Sequence, residues 1–244
     1  MKLRGRVALV TGGARRVGAA LALGLARRGC HVAITFRTSA REAAQAVRKI
    51  RAAQVRGMAI PVDQRDPSQV ARAVQEVWKK FRRLDILINS ASSFYPTPWR
   101  EASPEQWEDL LATNLSGPWY FAQAAGRLMK RQGSGKIVNL VDVAAFLPWT
   151  DYLPYCAAKG GLVTLTRGLA RALAPEVQVN AIAPGPILFP PGISAQGKRT
   201  AIRKTLLKRH GDPEDILQAV LFFLEGSDFV TGAVLPVDGG RLLA

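Results

Sequence analysis

The chain has little with which to build a disulfide framework or a metal centre. Of its 244 residues only two are cysteine, Cys30 and Cys156, and only two are histidine, His31 and His210. Thiols this far apart form no ligand spacing, so no metal is expected. Long apolar runs are missing as well. The longest in the C-terminal half is Ala219 to Leu224, far short of the ~20 apolar residues that cross a bilayer, so no membrane association is expected. The basic start, Lys2, Arg4 and Arg6, leads into Val7 to Val10, which is too short for a signal-peptide core, and a cytoplasmic protein is the expectation. Acid is scarce: 18 Asp and Glu face 34 Lys and Arg, a formal net charge of +16. That balance fits nucleic acid, anionic ligands or an Arg-rich solvated surface. The basic residues are scattered through helical stretches such as Arg41 to Arg56 and Lys79 to Arg83, with no zinc-finger or RNP-type motif, so no nucleic-acid partner is expected.

What is present is a chain with 48% hydrophobic residues, long enough for one sizeable core and short for two. Short β-branched or apolar runs alternate with longer Ala/Leu/Arg segments, the pattern of βαβ units around a parallel sheet. The spacing predicts strands at Val7 to Thr11, Val32 to Phe36, Met58 to Val62, Ile86 to Asn89, Ile137 to Val141, Val177 to Ala181 and Val234 to Val237, seven in all. Helix starts are signalled by Ser39-Ala40-Arg41-Glu42 and Ser103-Pro104-Glu105-Gln106, both read as capping boxes, and by Asp212-Pro213. A Pro/Gly-rich stretch from Pro184 to Gly197 follows the sixth strand, where an open parallel sheet places its ligands. It is read as the core of a substrate lid covering about 184–207, within a single domain over 1–244.

The glycines of Val10-Thr11-Gly12-Gly13-Ala14-Arg15-Arg16-Val17-Gly18 fall at the first strand-to-helix junction. There a tight backbone turn brings helix N–H groups against a pyrophosphate. An acid at the end of the second strand would hold a free ribose hydroxyl. This chain has Thr35-Phe36-Arg37-Thr38-Ser39 there, and its first acid is Glu42. Arg16, Arg37 and the Ser39 hydroxyl are suited to a 2′-phosphate, which predicts NADP(H). Asp63 closes the third strand, where it would face the adenine side.

Tyr155 and Lys159 stand four residues apart on a helical stretch and project from one face. They follow the fifth strand, and Asp142 lies at that strand's end. With the glycine turn, Asn89-Ser90-Ala91, Asn114, Pro184-Gly185 and Val237-Asp238-Gly239-Gly240, the chain resembles the short-chain dehydrogenase/reductase family over nearly its whole length. Asn89-Ser90 departs from the more usual Asn-Asn. The resemblance implies a Rossmann-type, doubly wound α/β fold with helices flanking the seven-stranded parallel sheet. It implies catalysis by Asp142, Tyr155 and Lys159. It implies cofactor contacts from Gly12, Arg15, Arg16, Val17, Arg37, Thr38 and Ser39, from Asp63, Asn89, Ala91, Ser92 and Asn114, and from Tyr155, Lys159, Pro184, Gly185 and Ile187. It also implies a homotetramer built through the segments Pro104 to Met129 and Leu153 to Leu173.

Two departures narrow the resemblance. Asp142 stands where most members carry a catalytic Ser, and Arg16 where most carry Gly. Both match the pteridine reductases, as does the loop Asn89-Ser90-Ala91-Ser92-Ser93-Phe94-Tyr95-Pro96-Thr97-Pro98. A pterin or folate-like substrate is the expectation, held by Ser92, Phe94, Asp142, Tyr155 and Leu188, with Trp149 and Tyr152 lining the pocket. Phe94 would stack on the ring. Lys159 is expected to bond the nicotinamide ribose and favour an ionisable Tyr155, while Tyr155 donates a proton and Asp142 polarises or replenishes it. The competing expectations are a carbonyl reductase of the 3-oxoacyl-carrier-protein type and a regulatory or RNA-binding protein that exploits the positive charge.

Overall fold

The computed structural model describes residues 1–189 and 192–244, and its framework is a seven-stranded, all-parallel sheet in the order β3-β2-β1-β4-β5-β6-β7. The strands are β1 (Val7–Val10), β2 (His31–Phe36), β3 (Gly57–Pro61), β4 (Ile86–Asn89), β5 (Gly135–Leu140), β6 (Val177–Pro184) and β7 (Val234–Val237). The helices are α1 (Arg16–Arg27), α2 (Ala40–Ala52), α3 (Pro67–Phe81), α4 (Pro104–Leu111), α5 (Gly117–Gln132), α6 (Leu153–Leu173), α7 (Ala195–Arg203) and α8 (Pro213–Glu225). Among the described residues no helix is long and apolar enough to cross a membrane.

Successive side chains of a strand point to opposite faces, and a parallel sheet covered on both sides is apolar on both. In β1, Ala8 and Val10 join a core with Leu21 and Leu25 of α1, Val47 of α2 and Ile216 of α8. Val7 and Leu9 face the other way, into a core with Val74 of α3, Phe121 of α5 and Leu169 of α6. The chain winds outward from β1 to β3 and then returns to β4 on the other flank of β1. The loops leaving β1 and β4 therefore diverge, and a crevice opens at the carboxyl ends of the strands, where such sheets bind ligands.

All seven expected strands are present, and the differences lie at their ends. Thr11 falls outside β1 because its hydroxyl accepts the Ser90 and Ala91 amides at 2.9 and 3.0 Å, starting the turn toward α1. β6 extends to Pro184, three residues beyond the expected end. The capping box at Ser103 forms, with Gln106 reaching back to the Ser103 amide, and Asp212 forms another with Asp215. Ser39 departs from expectation. It precedes α2, but its backbone (φ −88°, ψ 56°) is not extended, and its side chain caps no amide. Between α4 and α5 a one-turn π-helix spans Ala112–Ser116, the kind of local widening that often marks a functional position. Of the expected lid, α7 and the turn before it are helical or irregular; Pro190 and Pro191 lie outside the described residues.

Candidate active site

A cleft of about 810 Å³ runs along the carboxyl ends of the strands. Its first wall is the turn between β1 and α1. Gly12 adopts φ +63°, and a Cβ there would stand 2.8 Å from the Ala91 Cα, while one on Gly18 would stand 2.4 Å from the Gly12 carbonyl oxygen. Only glycine fits either place. The N-cap of the 12-residue helix α1 is Arg15, which offers no side-chain acceptor, so the first amides of α1 keep their donors for an anion. Arg15 and Val17 line the cleft beside them.

At the end of β2 the lining continues with Arg37, Thr38 and Ser39, and no carboxylate. Ser39 caps no helix amide and lines the cleft. Asp63 lines the far end, its carboxyl held below the usual carboxylate range chiefly by hydrogen bonding from Arg65. These residues fit a dinucleotide with an extra phosphate: tight glycines, open helix amides and cations without a competing acid. Arg16 lines the same cleft and also reaches across it. Its backbone is left-handed (φ +52°) and its guanidinium donates to the carbonyl oxygens of Leu188 at 2.6 Å and Phe189 at 3.3 Å, joining the cofactor turn to the lid.

Asn89 and Asn114 stand behind the cleft wall rather than in it. Asn89 Nδ2 donates to Asn139 Oδ1 at 2.8 Å, and Asn139 in turn donates to Thr166 on α6, so a buried amide ladder fixes the end of β4. Asn114, within the π turn, donates to Ser93 and Leu110 carbonyls at 3.0 Å and accepts from the Ser92 hydroxyl at 2.6 Å. It shapes the loop that carries Ala91, Ser92 and Phe94 into the cleft.

The three residues expected to be catalytic lie together in the cleft. Tyr155 and Lys159 lie one turn apart on α6, and Asp142 follows β5. The Tyr155 hydroxyl donates to Asp142 Oδ2 at 2.9 Å, and the other carboxylate oxygen accepts the Ala144 amide at 2.9 Å. Lys159 Nζ donates to the Leu140 carbonyl at 2.9 Å and lies 5.6 Å from the Tyr155 ring centre. Burial raises the Asp142 pKa, with the Ala144 amide and the Lys159 charge opposing it. Burial lowers Lys159 to about 8, Asp142 working the other way.

Tyr155 corrects one expectation. Its hydroxyl is pushed well above the usual tyrosine value, first by burial and then by the Asp142 charge, with Ser92 opposing. The phenol is therefore kept protonated, as a donor.

Phe94 lines the cleft and lies flat on Tyr152, with ring centres 4.5 Å apart and planes within 3°. It meets Tyr155 edge-on at 4.9 Å and Trp149 at 6.2 Å. One face of Phe94 is taken by Tyr152; the residue is still 39% exposed. Pro184, Gly185, Ile187 and Leu188 close the cleft on the β6 side. Sequence reasoning missed Gln64, whose amide donates to the Thr113 carbonyl at 2.6 Å, and the group Arg65, Asp109 and Tyr95. Only their neighbourhood to Asp63 and Phe94 could have flagged them.

A glycine-turn cleft at the switch of a parallel sheet, ending on a Tyr and a Lys one helical turn apart, defines a nicotinamide-dinucleotide oxidoreductase. The chain belongs to the short-chain dehydrogenase/reductase family. Residues 12–241 match a family described as enoyl-(acyl carrier protein) reductase. A 3-oxoacyl-[acyl-carrier-protein] reductase of Staphylococcus aureus is 34% identical over 240 residues, covering 97% of this chain and 98% of that one. A 5-keto-D-gluconate 5-reductase of Escherichia coli is 33% identical over 248 residues, covering 99% and 97%. Among solved structures, a short-chain dehydrogenase from Burkholderia cenocepacia in complex with NADP superposes with a TM-score of 0.91 at 34% identity, covering 99% of each chain.

Proposed function

We propose that the chain is an NADPH-dependent reductase of a pterin- or folate-like ring, of the dihydro-to-tetrahydro type. The observation that carries it is the Asp142 carboxyl bonded to the Tyr155 hydroxyl at 2.9 Å. A ketone reductase stabilises a developing alkoxide, and a carboxylate about 4 Å away would oppose that charge by roughly 4 kcal/mol at an effective dielectric of ~20. A C=N acceptor has no such conflict. Its nitrogen needs one proton, and its neighbouring ring N–H groups offer donors to the carboxylate.

Arg37, Thr38 and Ser39, with no acid beside them, support NADPH, as does the NADP complex of the Burkholderia relative. When bound, the nicotinamide supplies the hydride. The protonated Tyr155 holds the proton for the ring nitrogen and regains one from solvent, while the Asp142 carboxylate accepts a ring N–H. Lys159 presents its ammonium to the ribose. The open face of Phe94 offers offset stacking to a flat ring, about 1 kcal/mol beyond burial. The segment 184–207 is the lid. Exposed Trp107, Trp119 and Leu153 on α4, α5 and α6 support assembly of a homotetramer through those helices.

A second reading is carbonyl reduction, and the curated relatives favour it over the first. Both relatives described above are named for reduction of keto substrates. Burial also shifts Asp142 toward the neutral acid, which can donate a hydrogen bond to a carbonyl oxygen as a serine hydroxyl does. Following NADPH consumption with dihydrobiopterin, dihydrofolate, an acetoacetyl thioester and 5-ketogluconate separates the two. Pterin turnover supports the first reading; turnover of keto substrates alone overturns it in favour of the second.

A further inference from the structure

The turn after β3 is tied to the loop after β4 through one guanidinium. Arg65 forks onto the cleft-lining Asp63, with Nε at 3.0 Å from both carboxylate oxygens and Nη2 at 2.6 Å from Oδ2. Its Nη1 donates to Asp109 Oδ1 on α4 at 2.7 Å. The second oxygen of Asp109 accepts the Tyr95 hydroxyl at 2.9 Å. Tyr95 is the neighbour of Phe94, and its ring packs into the cluster of Leu110, Tyr155 and Cys156. A chain of charge-assisted bonds thus runs from the dinucleotide end of the cleft to the loop that carries Ser92 and Phe94. The side chains are 24–40% exposed, where isolated ion pairs contribute little to stability. Bidentate geometry and shared carboxylates instead fix orientation.

We propose that Arg65 is a positioning residue that couples dinucleotide binding at Asp63 to the ordering of the 92–98 loop. A ligand group settling on Asp63 narrows the arrangements open to the Asp63–Arg65 fork. The fork holds Asp109, and Asp109 holds Tyr95 in the orientation that presents Phe94 beside Tyr155. The inference rests on the cleft being a dinucleotide site and is independent of which substrate is reduced. By linkage, whatever orders the loop must tighten the dinucleotide equally.

Hydrogen exchange on the full chain with and without NADPH tests it, with NADPH affinity measured in parallel by fluorescence. NADPH should protect amides of 92–98 in the wild type. In Arg65→Met, and independently in Tyr95→Phe, that added protection should fall about tenfold, and NADPH affinity should fall by up to the same factor. Arg65→Lys should restore part of it. Protection retained in both variants overturns the proposal, as does its absence in the NADPH-bound wild type. Loss spread over β1 and β4 in the free variants marks a purely structural role and overturns it too. A wild type that binds no NADPH would remove the dinucleotide reading itself.

Discussion

Tyr155 and Asp142 share a hydrogen bond of 2.9 Å in which the phenol is the donor and the carboxylate the acceptor. Burial and the Asp142 charge raise Tyr155 and keep the proton on the phenol, while burial also moves Asp142 toward its neutral form. Substituting Tyr155→Phe preserves the ring against Phe94 and removes only the donor. Turnover should fall about 10²–10⁴-fold, the usual contribution of a positioned general acid, while NADPH binding measured by fluorescence titration changes little. Equal loss of binding and turnover would mean that Tyr155 seats the cofactor rather than the proton.

The pH dependence follows from two shifted groups. Lys159 loses its proton as pH rises through about 8, so kcat/KM should decline above that value. If ionised Asp142 is required, the acid limb should lie above the ordinary carboxylate range, since burial raises its pKa. In pH–rate profiles, Asp142→Asn should abolish the acid limb, and Lys159→Arg should move the basic limb upward.

Stability should move opposite to activity at Asp142. Its folded pKa is raised above the unfolded value, so the stabilisation from its neutral form is present below about pH 3.8 and lost as pH rises through the folded value. At pH 7 the ionised group is a net cost to the fold. Asp142→Asn should therefore raise the melting temperature at pH 7 by about 2–4 °C and lose that advantage near pH 4, measurable by scanning calorimetry at both pH values.

Cofactor choice should reside at the end of β2. Arg37→Asp places an acid where the chain has none and should lower the NADPH-to-NADH preference in kcat/KM by about 10²-fold, about 2.7 kcal/mol. An unchanged ratio would assign the phosphate to Arg15 or Ser39 instead.

The sheet was legible because its strands are short apolar runs between polar, helix-capped segments, and the pairing of Tyr155 with Lys159 because one helical turn has a fixed spacing. Strand ends were less so: Thr11 is β-branched, yet its hydroxyl turns the chain by capping Ser90 and Ala91. Ser39 looked like a cap because composition does not reveal its backbone angles. The reach of Arg16 to the lid was not legible, since nothing local to it announces carbonyls 172 and 173 residues away. The Arg65 bridge was illegible for the same reason: Asp109 lies 44 residues on, and only the fold brings it near.

The central claim is that Asp142 selects a ring C=N over a ketone, and Asp142→Ser tests it most directly. NADPH oxidation should be followed with dihydrobiopterin and with an acetoacetyl thioester, in wild type and variant. The account predicts wild-type pterin turnover that falls about 10²-fold or more in the variant, while thioester reduction appears or rises. Pterin turnover unchanged by the substitution, or a wild type active on the thioester alone, would contradict it.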